Sequence, residues 1–309
     1  MDTVARIRGK ARSDLKTIVL PEYDDKRVVE ASAIIEKEGI AKVVLLSKDK
    51  IIPQQLEQYI QEFYEMRKAK GIDIDSVRKM FDDPLYYAAM MARQGHADGF
   101  VAGANHTTSD VARAAILCLG INERISIACS CFVMVVPDCL YGEEGTFVFA
   151  DCGIIPEPNP RQLACIALAT AELMEKILDL PARVALLSYS TKGSAKGKSI
   201  EKIAEGLKIL KETRPDLIVD GELQVDAAII PEVAKIKCPE SRVAGQANIL
   251  IFPDLEAGNI AYKLVQRLAK ARALGPLILG LNKPCSDLSR GCFVEDVVDC
   301  VAATAVRAQ

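Results

Sequence analysis

The chain has 309 residues, half of them hydrophobic, with eight tyrosines, eight phenylalanines, no tryptophan and a formal net charge of −3. That length admits two domains or one large one, and the aliphatic balance suits helices packed on a parallel sheet. A small negative charge argues against a nucleic-acid partner, so any phosphate affinity must come from local arginines and lysines.

In chain order, apolar runs of strand length alternate with helical periodicity. Thr17 to Leu20 precedes a helix from Val28 to Lys37, and the run from Ala41 to Leu46 follows it. After Lys50 the chain goes almost directly to Ile51-Ile52-Pro53 and a helix that carries Arg67. Further strand-like runs are Gly99 to Ala102, Arg183 to Leu187 and Ile249 to Phe252, each followed by a helical stretch. This alternation implies a mostly parallel sheet covered on both faces, with sites at the carboxyl ends of strands. No internal repeat, low-complexity tract or long linker is present.

Three segments carry candidate chemistry. Behind Gly99 to Ala102, a Gly-Ala turn leads through Asn105 and His106 to Thr107, Thr108, Ser109 and Asp110, then to a helix with Arg113. Hydroxyls and amides at a helix start can hold an anion, and an ordinary capped helix is the plainer reading. Behind Leu187, a Gly/Ser/Lys loop with Lys192, Lys196 and Lys198 presents possible phosphate ligands, or a solvated loop. Near the C-terminus, Ser289, Arg290 and Gly291 precede an apolar helix that includes Asp296. A carboxylate there can take a thiol proton, a hydroxyl can position sulfur, and a guanidinium can grip phosphate or a developing oxyanion. A Ser cap with an acidic first turn is the alternative.

The ten cysteines form no C-x-x-C pair, and with only His96 and His106 available a zinc site is not expected. Free thiols in a reducing compartment account for them better. The segment from Met1 to Arg6 lacks an apolar stretch, so no signal peptide is expected. The longest apolar run, around Ile125 to Val136, is shorter than the ~18 residues that span a bilayer. A cytoplasmic protein without membrane attachment is the expectation.

Taken together, these runs resemble the phosphate acetyltransferase and phosphate butyryltransferase family. The resemblance covers nearly the whole chain. It rests on Leu20-Pro21-Glu22 with Arg27, on Asp98-Gly99 through Asp110, on Val136-Pro137-Asp138, and on Leu187 to Thr191. It continues in Asp220 to Ala228, in Phe252-Pro253-Asp254-Leu255 with Gly258-Asn259 and Tyr262-Lys263, and in Asp287-Leu288-Ser289-Arg290-Gly291. One departure is the short connection after Lys50, where relatives have a longer segment including a strand.

The resemblance implies two α/β domains, each a mostly parallel sheet flanked by helices, with an active-site cleft between them. Its domain I would comprise residues 1-123 and a C-terminal return of 279-309, and domain II residues 124-278. It implies reversible acetyl transfer between acetyl phosphate and coenzyme A, by direct attack of the thiolate in a ternary complex. Asp296 would accept the thiol proton, Ser289 would aim the sulfur, and Arg290 would polarise the carbonyl or hold phosphate. Arg27, Arg67 and Arg113 would bind coenzyme A or acyl phosphate. His106, Thr107, Thr108, Ser109 and Lys192 would line the phosphate site, with Cys139 near the cleft as a small packed residue or a covalent nucleophile. No metal or redox cofactor is expected; the partners are coenzyme A or acetyl-CoA, acetyl phosphate and inorganic phosphate, with a homodimer implied. The alternatives are propionyl or butyryl transfer, or a regulatory acyl-CoA-binding module like that appended to some malic enzymes. The joint presence of Ser289, Arg290 and Asp296, without a malic-enzyme portion, favours a working enzyme.

Overall fold

Residues 3–309 are described by a computed structural model. They divide into two compact units, one of residues 4–121 and 281–309, the other of residues 122–280 together with Thr3. The first unit opens with α1 (Thr3–Ser13), β1 (Thr17–Leu20), α2 (Lys26–Glu38), β2 (Lys42–Leu45) and α3 (Pro53–Arg67). It continues with α4 (Ile74–Met80), α5 (Pro84–Gln94), β3 (Gly99–Ala102) and α6 (Thr108–Leu119).

The chain then builds the second unit from β4 (Cys129–Val135), β5 (Thr146–Ala150), α7 (Pro160–Leu173), β6 (Arg183–Leu187) and α8 (Lys198–Thr213). There follow β7 (Ile218–Leu223), α9 (Val225–Ile229), α10 (Pro231–Lys237), β8 (Ile249–Ile251), α11 (Leu255–Leu268) and β9 (Arg272–Leu279). It returns to the first unit for β10 (Cys285–Asp287) and α12 (Val294–Ala308).

In the first unit the strand order is β2-β1-β3-β10, and every pairing is parallel. Parallel strands covered on both faces need unbroken apolar runs, and β1, β3 and β10 are buried almost throughout. Helix α12 is buried at every position from Val297 to Val306 and packs on β1, β3, β10 and α2. A helix apolar all round belongs in a core, and each of Val297, Val298, Val301 and Val306 contributes roughly 1.5–3 kcal/mol of burial as an upper estimate. Its one buried carboxylate, Asp299, accepts a hydrogen bond from Arg8 Nε at 2.8 Å.

The second unit orders its strands β9-β4-β5-β8-β6-β7. Pairings β5–β8, β8–β6 and β6–β7 are parallel, whereas β4 runs antiparallel to both neighbours. The short connection from β4 to β5 permits only that direction, because a parallel return needs a crossover of a dozen residues or more. The apolar run around Ile125 to Val136 thus supplies a sheet strand.

Register places the first unit's loops side by side. Ile18 pairs with Gly99 and Val19 with Phe100, while Asp287 pairs with Ala102. Because all four strands are parallel, the segments after β1, β3 and β10 leave the same edge. Gly103, immediately after β3, has φ +112°, and a Cβ there would lie 2.1 Å from Asp287 Oδ1 and 2.6 Å from Leu288 N. The two loops can approach this closely only over a glycine. Gly103→Ala combines a left-handed backbone with overpacking, and should destabilise the protein by about 3 kcal/mol or more. Urea unfolding monitored by circular dichroism measures this, and a loss under about 1 kcal/mol would show that the loops have room to separate.

Candidate active site

The loops after β1, β3 and β10 are tied together by one side chain. Arg27, in the first turn of α2, donates from Nε and Nη2 to the two Asp25 oxygens at 3.0 and 2.6 Å. Its Nη1 reaches the carbonyls of Arg290 at 2.8 Å and Cys292 at 3.1 Å, and its Nη2 reaches that of Ala104 at 2.9 Å. A guanidinium has five N–H donors, and these contacts use the full set. Asp25 doubles as the α2 cap, accepting from the Arg27 amide at 2.8 Å.

A second layer lies below. Glu22 is buried, and its carboxylate accepts from the amides of Ala104, Asn105 and His106 at 2.8, 2.7 and 3.0 Å. It is also 2.8 Å from His106 Nδ1, while His106 Nε2 lies 3.2 Å from both oxygens of Asp83, the cap of α5. Hydrogen bonds to Asp83 and then Glu22 push the imidazole up to about 10, outweighing burial. Burial alone would raise both carboxyls, but the His106 hydrogen bond, with backbone amides, holds Glu22 and Asp83 below their usual range. The residue is therefore an imidazolium clamped between two carboxylates, with neither nitrogen left for a base or a phosphate donor.

The start of α6 is a capping box. Thr107 Oγ1 accepts from Asp110 N at 3.2 Å, and Asp110 Oδ2 accepts from Thr107 N at 3.3 Å and from Thr107 Oγ1 at 2.7 Å. The Thr108 hydroxyl meets Asp287 Oδ2 at 2.6 Å. Of the three hydroxyls expected to cradle phosphate, those of Thr107 and Thr108 are thus engaged with carboxylates. Ser109 is exposed, and its Oγ with the amides of Thr108 and Ser109 remain candidates at a helix N-terminus. Arg113, one turn along the same helix, is exposed.

Ser289 and Arg290 lie in the turn after β10 and are exposed. Ser289 Oγ accepts from Gly291 N at 3.2 Å, which leaves its proton free to donate. The carboxylate of Asp296 sits in the first turn of α12, with Oδ2 accepting from Phe293 N at 2.8 Å. A turn, rather than continuous helix, separates Ser289 from Asp296.

The sequence pattern of the family described as phosphate acetyl/butaryl transferase matches residues 2–305. The chain belongs to that family. It is 49% identical to the phosphate acetyltransferase of Acetivibrio thermocellus over 328 aligned positions, covering all of this chain and 99% of that one. Identity to the phosphate acetyltransferase of Clostridium acetobutylicum is 46%, again over the whole chain and 99% of the relative. The crystal structure of a phosphotransacetylase from Streptococcus pyogenes superposes with a TM-score of 0.90 at 38% identity, covering 99% and 98% of the two chains.

Other candidates have partners within their own unit. Arg67 donates to Leu117 O at 2.7 Å and approaches Ile116 O at 3.4 Å, so it caps the C-terminal end of α6. Those carbonyls lie about 13 Å along the helix from Thr108. Its Nε is buried without a partner. In the second unit, Lys192 binds Asp220 and the Gly221 carbonyl. The Gly/Ser/Lys loop around it coordinates a carboxylate of its own: Glu222 Oε1 accepts from Gly193 N at 2.7 Å and Ser190 Oγ at 2.9 Å. Its anion-binding geometry is therefore spent on Glu222. Cys139 follows β4 and packs, half-buried, against the apolar core around Phe132, Met134 and Phe147. The ten cysteines form no disulfide among the described residues.

Sequence reading assigned no role to Glu22, Asp25, Asp83 or Asp287. For Glu22 and Asp287 the available signal was an acidic residue at or just after an apolar strand end, which is costly to bury unless donors surround it; for Asp25 and Asp83 it was an Asp just ahead of a helix, a favoured cap.

Two outcomes follow. Arg27→Lys keeps the charge but loses the planar fork, and should lower stability by about 2–4 kcal/mol; urea unfolding that matches the parent, together with a changed coenzyme A KM, would instead make Arg27 a ligand. For His106, the folded value lies above the unfolded 6.5, so its stabilisation is complete below pH 6.5 and lost as pH rises toward 10. The stability gap between the parent and His106→Gln should narrow from pH 6.5 to 10 in urea titrations, and a gap that widens would refute the clamped imidazolium.

Proposed function

We infer that this protein transfers an acetyl group reversibly between acetyl phosphate and coenzyme A, and that it does so by direct thiolate attack. The observation that carries the reading is the turn after β10. It presents a Ser289 hydroxyl with a free proton and an exposed Arg290, followed by a carboxylate at the head of α12, and Arg27 holds the Arg290 and Cys292 carbonyls between them.

The thiol of coenzyme A loses its proton to Asp296, whose Oδ1 is not taken up by the Phe293 amide. A thiol of pKa near ~8.5 needs only a modest base at neutral pH. Ser289 donates to the sulfur and keeps it aimed at the acyl carbon. As the C–S bond forms, negative charge develops on the carbonyl oxygen, where the Arg290 guanidinium stabilises it. The C–O bond to phosphate then breaks, and the departing phosphate is received by Arg113, Ser109 and the free amides at the start of α6. An acyl phosphate is already activated, so this route uses no metal, no redox cofactor and no acyl-enzyme. Arg27 and His106 act by positioning rather than by contact.

The reading places the reaction in the cytoplasm, in a homodimer. No helix among the described residues is long and apolar enough to cross a membrane. Helix α11 exposes Ile260, Leu264 and Leu268 at helical spacing, which fits an interface between two copies. Cys139, packed on apolar side chains with no histidine beside it among its described contacts, is read as structural.

The test is one set of initial-rate measurements with coenzyme A and acetyl phosphate. The parent should give intersecting patterns, Cys139→Ser should retain much of its rate, and Asp296→Asn should lose about 10²- to 10⁴-fold in kcat with little change in coenzyme A affinity. Parallel lines with acyl label on Cys139 would replace direct transfer by an acyl-enzyme, and a fully active Asp296→Asn would remove the proposed base.

A further inference from the structure

Directly beneath the start of α6 lies a carboxyl group that the transfer chemistry does not use. Asp287, the last residue of β10, is fully buried. Its Oδ2 is 2.6 Å from Thr108 Oγ1, and its Oδ1 has no hydrogen-bond partner. Gly103 crosses so close to Oδ1 that no side chain fits between them. The charged groups that act on it are Glu22, at the end of β1, and His106, after β3; α6 brings only the Thr108 hydroxyl. From α12, Arg307 reaches the strand two residues away, at Cys285 O. Burial pushes the Asp287 carboxyl up to about 7, with Glu22 adding to the effect while the Thr108 hydroxyl, the nearby Leu288 amide and His106 oppose it.

A short O···O contact can carry its hydrogen on either side. If Asp287 is ionised it can only accept, and the Thr108 hydroxyl must point inward. If Asp287 is neutral, Oδ2–H donates to Thr108 Oγ1, and the threonine hydrogen turns outward, beside the free amides of Thr108 and Ser109. Both states keep the contact, but only one offers a hydroxyl donor to a ligand.

We propose that Asp287 is a proton-linked positioning residue: neutral, it turns the Thr108 hydroxyl toward a tetrahedral anion bound at the start of α6; ionised, it withdraws that donor and places a negative charge beneath the anion. The inference rests on the reading of this helix start as the phosphate-handling part of the site. By reciprocity, anion binding takes up a proton at Asp287.

Sulfate is the suitable probe, because unlike phosphate it does not titrate near neutrality. Calorimetric titration of the full chain with sulfate should show affinity falling on the order of tenfold between pH 7 and 8.5, with about half a proton taken up per sulfate at pH 7 in buffers of different ionisation enthalpy. In Asp287→Asn the amide donates to Thr108 as the neutral acid does, so binding should stay tight at pH 8.5, with no pH dependence and no proton uptake. Thr108→Val should bind weakly even at pH 6. A flat pH profile in the parent, the parent's slope in Asp287→Asn, or no sulfate binding at all would overturn the proposal. Should Asp287→Asn fail to fold, tight binding by Thr108→Val at pH 6 would suffice to do so. Sulfate binding needs neither coenzyme A nor an acyl group. A protein that turns over acetyl phosphate but binds sulfate without pH dependence defeats this inference alone, and one with a pH-linked sulfate affinity but no turnover defeats the transfer reading alone.

Discussion

The five N–H groups of Arg27 are the constraint on which this site's shape depends. Three strand-end loops meet at one edge of a parallel sheet, and each presents carbonyl oxygens that no ladder partner can satisfy. Arg27 supplies donors to Ala104, Arg290 and Cys292 at once, with Asp25 balancing its charge. A planar fork fixes the relative angle of these acceptors as well as their distance, which a lysine ammonium would not do. The turn bearing Ser289 and Arg290 thus owes its conformation to a residue that leaves no donor of its own for a ligand.

The same economy recurs with opposite sign. Backbone amides at the β3–α6 loop form a natural anion site, and the protein fills most of it with its own carboxylate, Glu22. The second unit does likewise when Glu222 occupies the Gly193 loop. Internal carboxylates settle which amides are structural, and the few that remain, at Thr108 and Ser109, stand beside a cation on the same helix. On the proposed reading, selectivity for an anion at that point comes from subtraction: donors elsewhere along the loop are already committed. The His106 imidazolium lets two carboxylates sit close together without mutual repulsion.

Much of this was legible in the chain, and the failures share a cause. Strands Thr17–Leu20, Gly99–Ala102 and Arg183–Leu187 stood out because fully buried parallel strands are short unbroken apolar runs. The cap at Thr107 was legible from its spacing to Asp110, a local rule. Arg27 was not, since at the head of an exposed helix it looks like either a surface charge or a ligand, and only the fold brings Arg290 and Ala104 to it across 263 and 77 residues. The internal partners of Thr108 and Lys192 were hidden for the same reason: Asp287 and Asp220 lie far along the chain. Residue type and spacing report donors faithfully but cannot report which acceptors arrive to consume them.

Why the proposed active turn sits between β10 and α12 follows from what flanks it. A mobile turn would let the hydroxyl proposed to direct the sulfur and the proposed base drift apart, and small misplacements are costly in rate. Here the turn is short, with buried β10 pairing with β3 before it and α12 buried from Val297 to Val306 after it. Neither flank can shift without exposing apolar surface worth several times the stability of any single hydrogen bond in the loop. The exposed residues from Ser289 to Gly291 are therefore free to meet substrate but not free to choose their position. Placing polar chemistry on a brief exposed interval between two apolar anchors makes core packing, together with the hold of Arg27 on the Arg290 and Cys292 carbonyls, the source of its precision.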